Sequence, residues 1–140
     1  MAIQTVADVM TSDVATASTA DTARHVARLM RERDIGDVLV VEADQLAGIV
    51  TDRDLVVRVL ADDLDPDRAR VGEICSSEVL EVRPETTVDD ALVIMREAAV
   101  RRLPVVDSGR LVGIVSIGDF AAESDVDTVL ADISLAEPNL

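Results

Sequence analysis

The stretch LAGIVTDRD at residues 46–54 returns as LVGIVSIGD at residues 111–119, which is 65 residues further along a chain of 140 residues. The same offset relates the pair Val40-Val41 to the pair Val105-Val106. A short chain that repeats itself in this way contains two copies of one supersecondary unit, and neither copy can cover its apolar face alone. The sequence therefore predicts an architecture of two similar repeats.

Both repeats contain an amphipathic helix at the same position. Apolar residues fall at i, i+3, i+4 and i+7 between Ala23 and Met30, and again between Val88 and Met95. Residues suited to an N-cap precede each helix, at Asp21-Thr22 and at Thr86-Thr87. This pattern predicts two helices that each bury one face.

Short apolar runs predict the strands. Turn-like segments at residues 42–45 and 107–110 separate the last two runs of each repeat into a hairpin. A second helix is expected near Asp52 and near Gly118, so each repeat reads β-α-β-β-α. The hairpin runs are continuously apolar, which favours sheets covered on both faces. The candidate strands are residues 14–17, 38–41, 46–50, 79–82, 103–106 and 111–115.

The fold class expected from these elements is mixed α/β (α+β). We place the first repeat at residues 6–61, a linker at 62–70, the second repeat at 71–125, and a short helix and tail at 126–140. The linker is too short to separate independent domains, so the two repeats should pack closely.

Composition excludes several classes of function. The net charge of −15 and a single aromatic residue, Phe120, argue against binding nucleic acid. No run approaches the roughly 18 apolar residues that a membrane-spanning helix requires. A lone His25 and a lone Cys75 offer neither a metal site nor a nucleophilic set, and the single cysteine suits a reducing compartment. We expect a cytoplasmic protein that is not an enzyme.

Several motifs together resemble one family. The segment VMT at residues 9–11, the segment VRRLPVVD at residues 100–107 and both Gly-to-Asp motifs resemble the CBS domain pair, or Bateman module, and in particular small stand-alone actinobacterial proteins of this type. The resemblance implies two repeats packed pseudo-symmetrically, sheet against sheet, and a homodimer. It also implies an adenine nucleotide as ligand (AMP, ADP, ATP or an adenosylmethionine-type molecule), with no cofactor required.

Two carboxylates are the main binding candidates. Asp54 and Asp119 end the Gly-to-Asp motifs, where a carboxylate can accept both hydroxyls of a ribose. Thr51 and Ser116 lie three residues earlier and offer hydroxyl groups. The alternative is that both carboxylates only cap the helices that follow them.

The resemblance implies two unequal clefts, each joining the motif of one repeat to the early strands of the other. The cleft expected to bind nucleotide more tightly holds Thr51, Arg53, Asp54, Ser76, Val79, Val100, Arg101 and Arg102. The weaker cleft holds Thr11, Val14, Ile35, Gly36, Asp37, Ser116, Gly118 and Asp119.

Charge distinguishes the two clefts. Arginine grips phosphate with two parallel hydrogen bonds, and Gly36-Asp37 replaces Arg101-Arg102 in the first repeat. Asp37 would repel a phosphate. The alternative is that both arginines form ion pairs with this acidic surface. The first repeat also has Leu39 where the second has Pro104.

The function that the resemblance implies is a regulatory, energy-sensing module whose bound nucleotide alters a dimer surface or a surface for a separate effector protein. The alternative is a ligand-free dimeric scaffold for protein interaction or stress response.

Overall fold

The computed structural model describes residues 4–120. The expected helix and tail at residues 126–140 lie outside this range. The elements, in chain order, are α1 (Val6–Val9), β1 (Thr16–Ser18), α2 (Ala23–Arg33), β2 (Asp37–Glu42), β3 (Gln45–Thr51), α3 (Asp52–Asp54), a π-helix (Leu55–Leu60), α4 (Val71–Ile74), α5 (Val88–Ala98), β4 (Arg102–Asp107), β5 (Arg110–Ser116) and a 3-10 helix (Ile117–Phe120).

The chain divides into two compact units. Within the described range, the first-repeat unit comprises residues 14–79 and 109–111, and the second-repeat unit comprises residues 4–13, 80–108 and 112–120. The short helix that opens each repeat is therefore exchanged: α1 belongs to the second-repeat unit, and α4 belongs to the first-repeat unit.

Capping fixes where the two long helices begin and end. The side chain of Thr22 accepts a hydrogen bond from the His25 N–H, and Thr87 accepts one from the Asp90 N–H. Both helices end at a residue in the left-handed conformation, which closes the last turn against earlier carbonyls. The positions and N-caps expected from the sequence are confirmed.

In the first-repeat unit, β2 runs parallel to β1 and antiparallel to β3. The β2–β3 hairpin turns at Ala43 and Asp44, which both adopt positive φ, as a tight turn between right-twisted strands requires. Gln45 of β3 pairs in turn with Arg110, the first residue of β5. The strands predicted in the first repeat are thus present.

In the second-repeat unit, β4 and β5 lie side by side, but the strand predicted at residues 79–82 is wrong. Only Val82 forms a bridge, which is parallel and opposite Val105. In the first repeat, the Leu39 N–H donates to the Ala15 carbonyl at 3.4 Å. The residue equivalent to Leu39 is Pro104, which has no N–H to donate. The hydrogen bond that Leu39 donates in the first repeat therefore has no equivalent in the second repeat.

The second helix of each repeat also differs from a regular α-helix. After the single turn of α3, the residues from Leu55 to Leu60 form a π-helix. The Ala61 N–H, for example, donates to the carbonyl of Val56, five residues earlier, at 2.8 Å. Near Gly118, the described residues form one 3-10 turn.

Each unit has its own hydrophobic core. Phe120, Met95 and Leu103 are fully buried in the second-repeat unit, where Val6 of α1 joins them. Val26, Val40 and Val50 are buried in the first-repeat unit, together with Val71 and Ile74 of α4. Burying such aliphatic side chains stabilises each unit by about 1.5–3 kcal/mol per residue.

The mixed α/β fold expected from the sequence is confirmed by these five strands and their helices. Among residues 4–120, no helix combines the length and the apolar character needed to cross a membrane.

Candidate functional site

The Thr-x-x-Asp motif of the first repeat forms a reciprocal capping box at the end of β3. The Thr51 N–H donates to Asp54 Oδ2 at 2.8 Å, and the Asp54 N–H donates to Thr51 Oγ1 at 3.1 Å. Two N–H groups at the start of α3 are satisfied in this way. The capping role considered for Asp54 is therefore present, and it occupies one of the two carboxylate oxygens.

Ser116 and Asp119 form a related arrangement at the end of β5, in which both hydrogen bonds run from the serine to the carboxylate. The Ser116 N–H donates to Asp119 Oδ2 at 2.7 Å, and the Ser116 hydroxyl donates to the same oxygen at 3.2 Å. Both hydrogen bonds use Oδ2. Oδ1 of Asp119 therefore keeps its acceptor capacity within the part of the chain that the structure describes.

Each motif also lies against the helix-to-strand junction of its own repeat. The Asp52 N–H donates to the Gly36 carbonyl at 2.9 Å, and the Ile117 N–H donates to the Arg101 carbonyl at 2.8 Å. The residue after each junction, Asp37 or Arg102, is then the first residue of β2 or β4. The charge of this residue is therefore presented next to the motif.

A third segment reaches each motif from just after an exchanged helix. Ser76 forms an antiparallel bridge with Ile49, and Thr11 forms the same bridge with Ile114. All four N–H···O=C distances in these two bridges are 2.9 Å. Because the two bridges are formed by equivalent residues, the two units present the same three-part arrangement of polar groups.

The structure groups the predicted site residues by unit. Of the cleft expected to bind more tightly, Val100, Arg101 and Arg102 belong to the second-repeat unit, and the other residues belong to the first-repeat unit. Of the weaker cleft, Thr11, Ser116, Gly118 and Asp119 belong to the second-repeat unit, and Val14, Ile35, Gly36 and Asp37 belong to the first-repeat unit. The expected joining of these groups across repeats stays a prediction.

Arg58 is a residue that the sequence analysis missed. Its Nε lies 3.7 Å from Asp54 Oδ1, and its guanidinium donates to the Ile74 carbonyl at 3.1 Å. The signal was present in the sequence, because Arg58 lies four residues after Asp54 and such pairs meet on a helix. Arg58 thus engages the carboxylate oxygen that the capping box does not use.

The two lone residues occupy ordinary positions. The His25 side chain is 60% exposed, and its Nε2 lies 3.8 Å from Asp21 Oδ2. Cys75 packs against the first-repeat core, and burial raises the pKa of its thiol. Within residues 4–120, no group of histidine, cysteine and carboxylate side chains is arranged to hold a metal ion.

Comparison with known proteins identifies the family. Residues 6–61 and 71–125 each match the CBS domain. The chain is 40% identical over 119 residues to the CBS domain-containing protein YhcV of Bacillus subtilis. The aligned region covers 85% of this chain and 84% of the relative.

Solved structures agree with this match. Hypoxic Response Protein I, crystallised with two coordinated zinc ions, superposes with a TM-score of 0.77 at 37% identity, covering 86% of this chain and 98% of that one. A hexameric CBS-CP12 protein from bloom-forming cyanobacteria superposes with a TM-score of 0.71 at 30% identity, covering 89% and 70% of the two chains. CBS-domain proteins are generally regulatory modules rather than enzymes. This chain belongs to the CBS-domain family and contains a pair of CBS domains.

Proposed function

We propose that this CBS pair is a sensor that binds an adenine nucleotide and transmits its state through a homodimer or to a separate effector protein. The observation that carries the proposal is the repeated arrangement in each unit. Polar groups come together there at the end of a strand. They are contributed by a capped Thr/Ser-x-x-Asp turn, a helix-to-strand junction and a bridging segment.

The second-repeat unit offers the better ribose acceptor. Oδ2 of Asp119 already accepts two hydrogen bonds from Ser116, whereas Oδ1, among residues 4–120, keeps lone pairs for the two hydroxyls of a ribose. In the first-repeat unit, Oδ1 of Asp54 is drawn towards Arg58. A ribose there would have to compete with an arginine side chain, so we expect weaker binding.

Charge also favours nucleotide binding by the second-repeat unit. Arg101 and Arg102 are exposed beside the motif of the second-repeat unit, where a guanidinium can bind phosphate with two parallel hydrogen bonds. The first-repeat unit presents Gly36 and Asp37 instead, and Asp37 disfavours a phosphate. We therefore expect the second-repeat unit to hold a nucleotide more tightly. This grouping within units differs from the expected clefts across repeats, and binding studies distinguish the two.

A homodimer is the proposed means of transmission. Val56, Val57 and Leu60 of the π-helix are 55%, 44% and 72% exposed. Such apolar residues on one helix favour a protein partner, and the hexameric relative is itself an assembled CBS protein. A ligand shifts the equilibrium between two states of a dimer only if the ligand binds the two states with different affinity.

A thermal-shift screen with AMP, ADP, ATP, NAD and adenosylmethionine tests the proposal. A ligand present at one hundred times its dissociation constant stabilises the folded state by about 2.7 kcal/mol. We expect at least one adenine nucleotide to raise the melting temperature, and Asp119→Asn to reduce that rise more than Asp54→Asn does. Unchanged melting temperatures with all five ligands would favour the ligand-free scaffold instead.

A further inference from the structure

We infer that Arg58 is a positioning residue that couples the carboxylate of the first-repeat motif to the end of the exchanged helix α4. The inference rests on the proposed function and deepens it, because a ligand that takes Oδ1 of Asp54 would release Arg58 and loosen α4. Its basis is that one guanidinium contacts the motif carboxylate and the last carbonyl group of α4 at the same time.

Arg58 lies between two groups that a positive charge stabilises. Its Nε lies 3.7 Å from Asp54 Oδ1, and its Nη1 donates to the Ile74 carbonyl at 3.1 Å. The Asp54 side chain is only 13% exposed, and a carboxylate withdrawn from water needs a donor or a cation nearby. Ile74 is the last residue of α4, where carbonyl groups have no partner within the helix. Arg58 satisfies both groups with one side chain.

The two contacts of Arg58 support each other. Holding an arginine side chain in one rotamer costs conformational entropy. The contact with Asp54 restricts the guanidinium to an orientation in which it also reaches Ile74. A ligand that occupies Oδ1 of Asp54, or a substitution that removes its charge, therefore weakens the hydrogen bond to Ile74 as well.

The end of α4 leads directly to the segment that completes the candidate site of the first-repeat unit. The Cys75 N–H donates to the Val71 carbonyl at 2.9 Å, and the Ser76 N–H donates to the Ile49 carbonyl at 2.9 Å. Loosening at Ile74 thus reaches the Ser76 bridge two residues later, and through it the strand that ends in the motif.

The Cys75 thiol shows that the motif and the end of α4 are close. Burial has the largest effect on the pKa of this thiol and raises it, the negative charge of Asp54 raises it further, and the positive charge of Arg58 lowers it. Solvent ions screen charges beyond about 10 Å, so groups that act on a thiol in this way are near it. The three side chains therefore lie together where the motif, the π-helix and α4 meet.

The coupling is specific to the first repeat. The residue 65 positions after Arg58 is Glu123, which lies outside the described residues. A glutamate carries the same negative charge as Asp119 and cannot form this ion pair with it. We therefore expect the two motifs to differ, with only the first tied by an arginine at this position to its exchanged helix.

Amide hydrogen–deuterium exchange measured by NMR on the full chain tests the coupling. The variants are Arg58→Ala, Asp54→Asn and the chain with both substitutions. Asparagine can keep the oxygen that caps Thr51 while it presents an NH2 group to Arg58, so Asp54→Asn removes the ion pair and keeps the cap. Each single substitution should raise exchange of the Ser76 amide about two- to tenfold, since such a hydrogen bond contributes about 0.5–1.5 kcal/mol. The double variant should exchange no faster than Arg58→Ala, because Asp54 acts on α4 through Arg58.

Two controls separate local loosening from other effects. The Thr11 N–H donates to the Ile114 carbonyl at 2.9 Å in the equivalent bridge of the second repeat, and its exchange should be the same in all variants. Arg31→Ala removes an exposed arginine of α2. This variant should leave exchange of the Ser76 amide at the wild-type rate.

The pKa of the Cys75 thiol, from the pH dependence of its alkylation, is a second measurement. Arg58→Ala should raise this pKa and Asp54→Asn should lower it, because the two side chains carry opposite charges. A general loosening of the structure would shift the pKa in the same direction in both variants. Shifts in one direction would therefore contradict the placement of the two charges beside the thiol.

Three exchange results would overturn the inference. If Arg58→Ala leaves the Ser76 amide as protected as in wild type, the hydrogen bond to Ile74 does not hold α4. If the effects of the two substitutions add, Asp54 acts on α4 without Arg58. If exchange of the Thr11 amide rises as much as that of Ser76, the substitutions destabilise the whole protein and the coupling is not local.

Titration calorimetry with ATP on the wild-type chain tests the proposed function separately. If ATP binds and the exchange measurements show no coupling, nucleotide binding stands and the inference about Arg58 falls. If the coupling is measured and ATP does not bind, the connection between Asp54 and α4 stands and the nucleotide is removed from the proposed function.

Discussion

The backbones of Gly48 and Ser76 touch: a Cβ atom added to Gly48 would lie 2.4 Å from the carbonyl oxygen of Ser76. The equivalent pair shows the same closeness, since a Cβ on Gly113 would lie 2.9 Å from the Thr11 carbonyl oxygen. Both glycines lie next to the bridges that bring Ser76 and Thr11 to the motifs. The absence of a side chain therefore permits the third part of each candidate site to assemble.

Gly48→Ala is expected to destabilise the protein by about 1–3 kcal/mol, because the new methyl group must displace backbone rather than a flexible side chain. Urea unfolding followed by circular dichroism measures the loss. Gly118→Ala is the matched control, since a Cβ there would meet its nearest atom at an ordinary 3.8 Å. Equal unfolding free energies for the two variants would contradict the close approach.

Arg102→Ala should weaken ATP binding, because charge-assisted hydrogen bonds to phosphate contribute about 1.5–3 kcal/mol, or roughly tenfold or more in affinity. Asp37 starts β2 as Arg102 starts β4. Asp37→Arg should therefore strengthen binding at the first-repeat unit. Titration calorimetry with ATP, with Arg110→Ala as control, measures both effects. An affinity unchanged by Arg102→Ala would contradict the assignment of this arginine to phosphate.

The ion pair between Arg24 and Asp67 should show in the titration of the carboxyl group. The hydrogen bond and charge of Arg24 lower the pKa of Asp67, and Asp67 raises that of Arg24. The charged carboxylate is thus favoured in the folded state. Its contribution to stability is present above the pKa of unfolded Asp and is lost as pH falls through the lower folded pKa.

Carboxyl NMR titration of wild type and Arg24→Ala measures this shift. The Asp67 pKa should rise towards its ordinary value in the variant. The effect on stability should be small because the pair is exposed. Arg68→Ala should move the Asp67 pKa less than Arg24→Ala does. An identical Asp67 pKa in wild type and Arg24→Ala would show that the pair does not form in solution.

Cys75 should alkylate slowly in the folded protein. Burial raises the pKa of its thiol, so less of the reactive thiolate is present at neutral pH. Iodoacetamide labelling followed by mass spectrometry should be much slower without urea than with it, and should accelerate only at higher pH. Ser77→Cys in a Cys75→Ala background places a thiol at an exposed neighbour and should label rapidly. Equal labelling rates for the two thiols would contradict the partial burial of Cys75.

Local patterns in the sequence determined most of the secondary structure. The repeat offset, the helical spacing from Ala23 and from Val88, and the threonine N-caps all depend on residues within a few positions of one another. The hairpin turn at Ala43 and Asp44 also falls where the polar segment predicted it. Such features are encoded locally because propensity, periodicity and capping act within one or two turns.

Only the tertiary structure decided which of the two units each short helix joins. Val6 packs in the second-repeat core and Val71 in the first-repeat core, and no local pattern shows which core an exchanged helix will join. The missing N–H of Pro104 ends a strand pairing whose partner lies more than twenty residues away. For Asp54 and Asp119, geometry showed that each carboxylate accepts a hydrogen bond from the first N–H of its own motif and, within residues 4–120, that Arg58 lies beside Asp54. The ribose-binding role of the two carboxylates stays a prediction. These outcomes depend on contacts between distant residues, and the free energy of such contacts is set by packing in the folded chain rather than by neighbours in sequence.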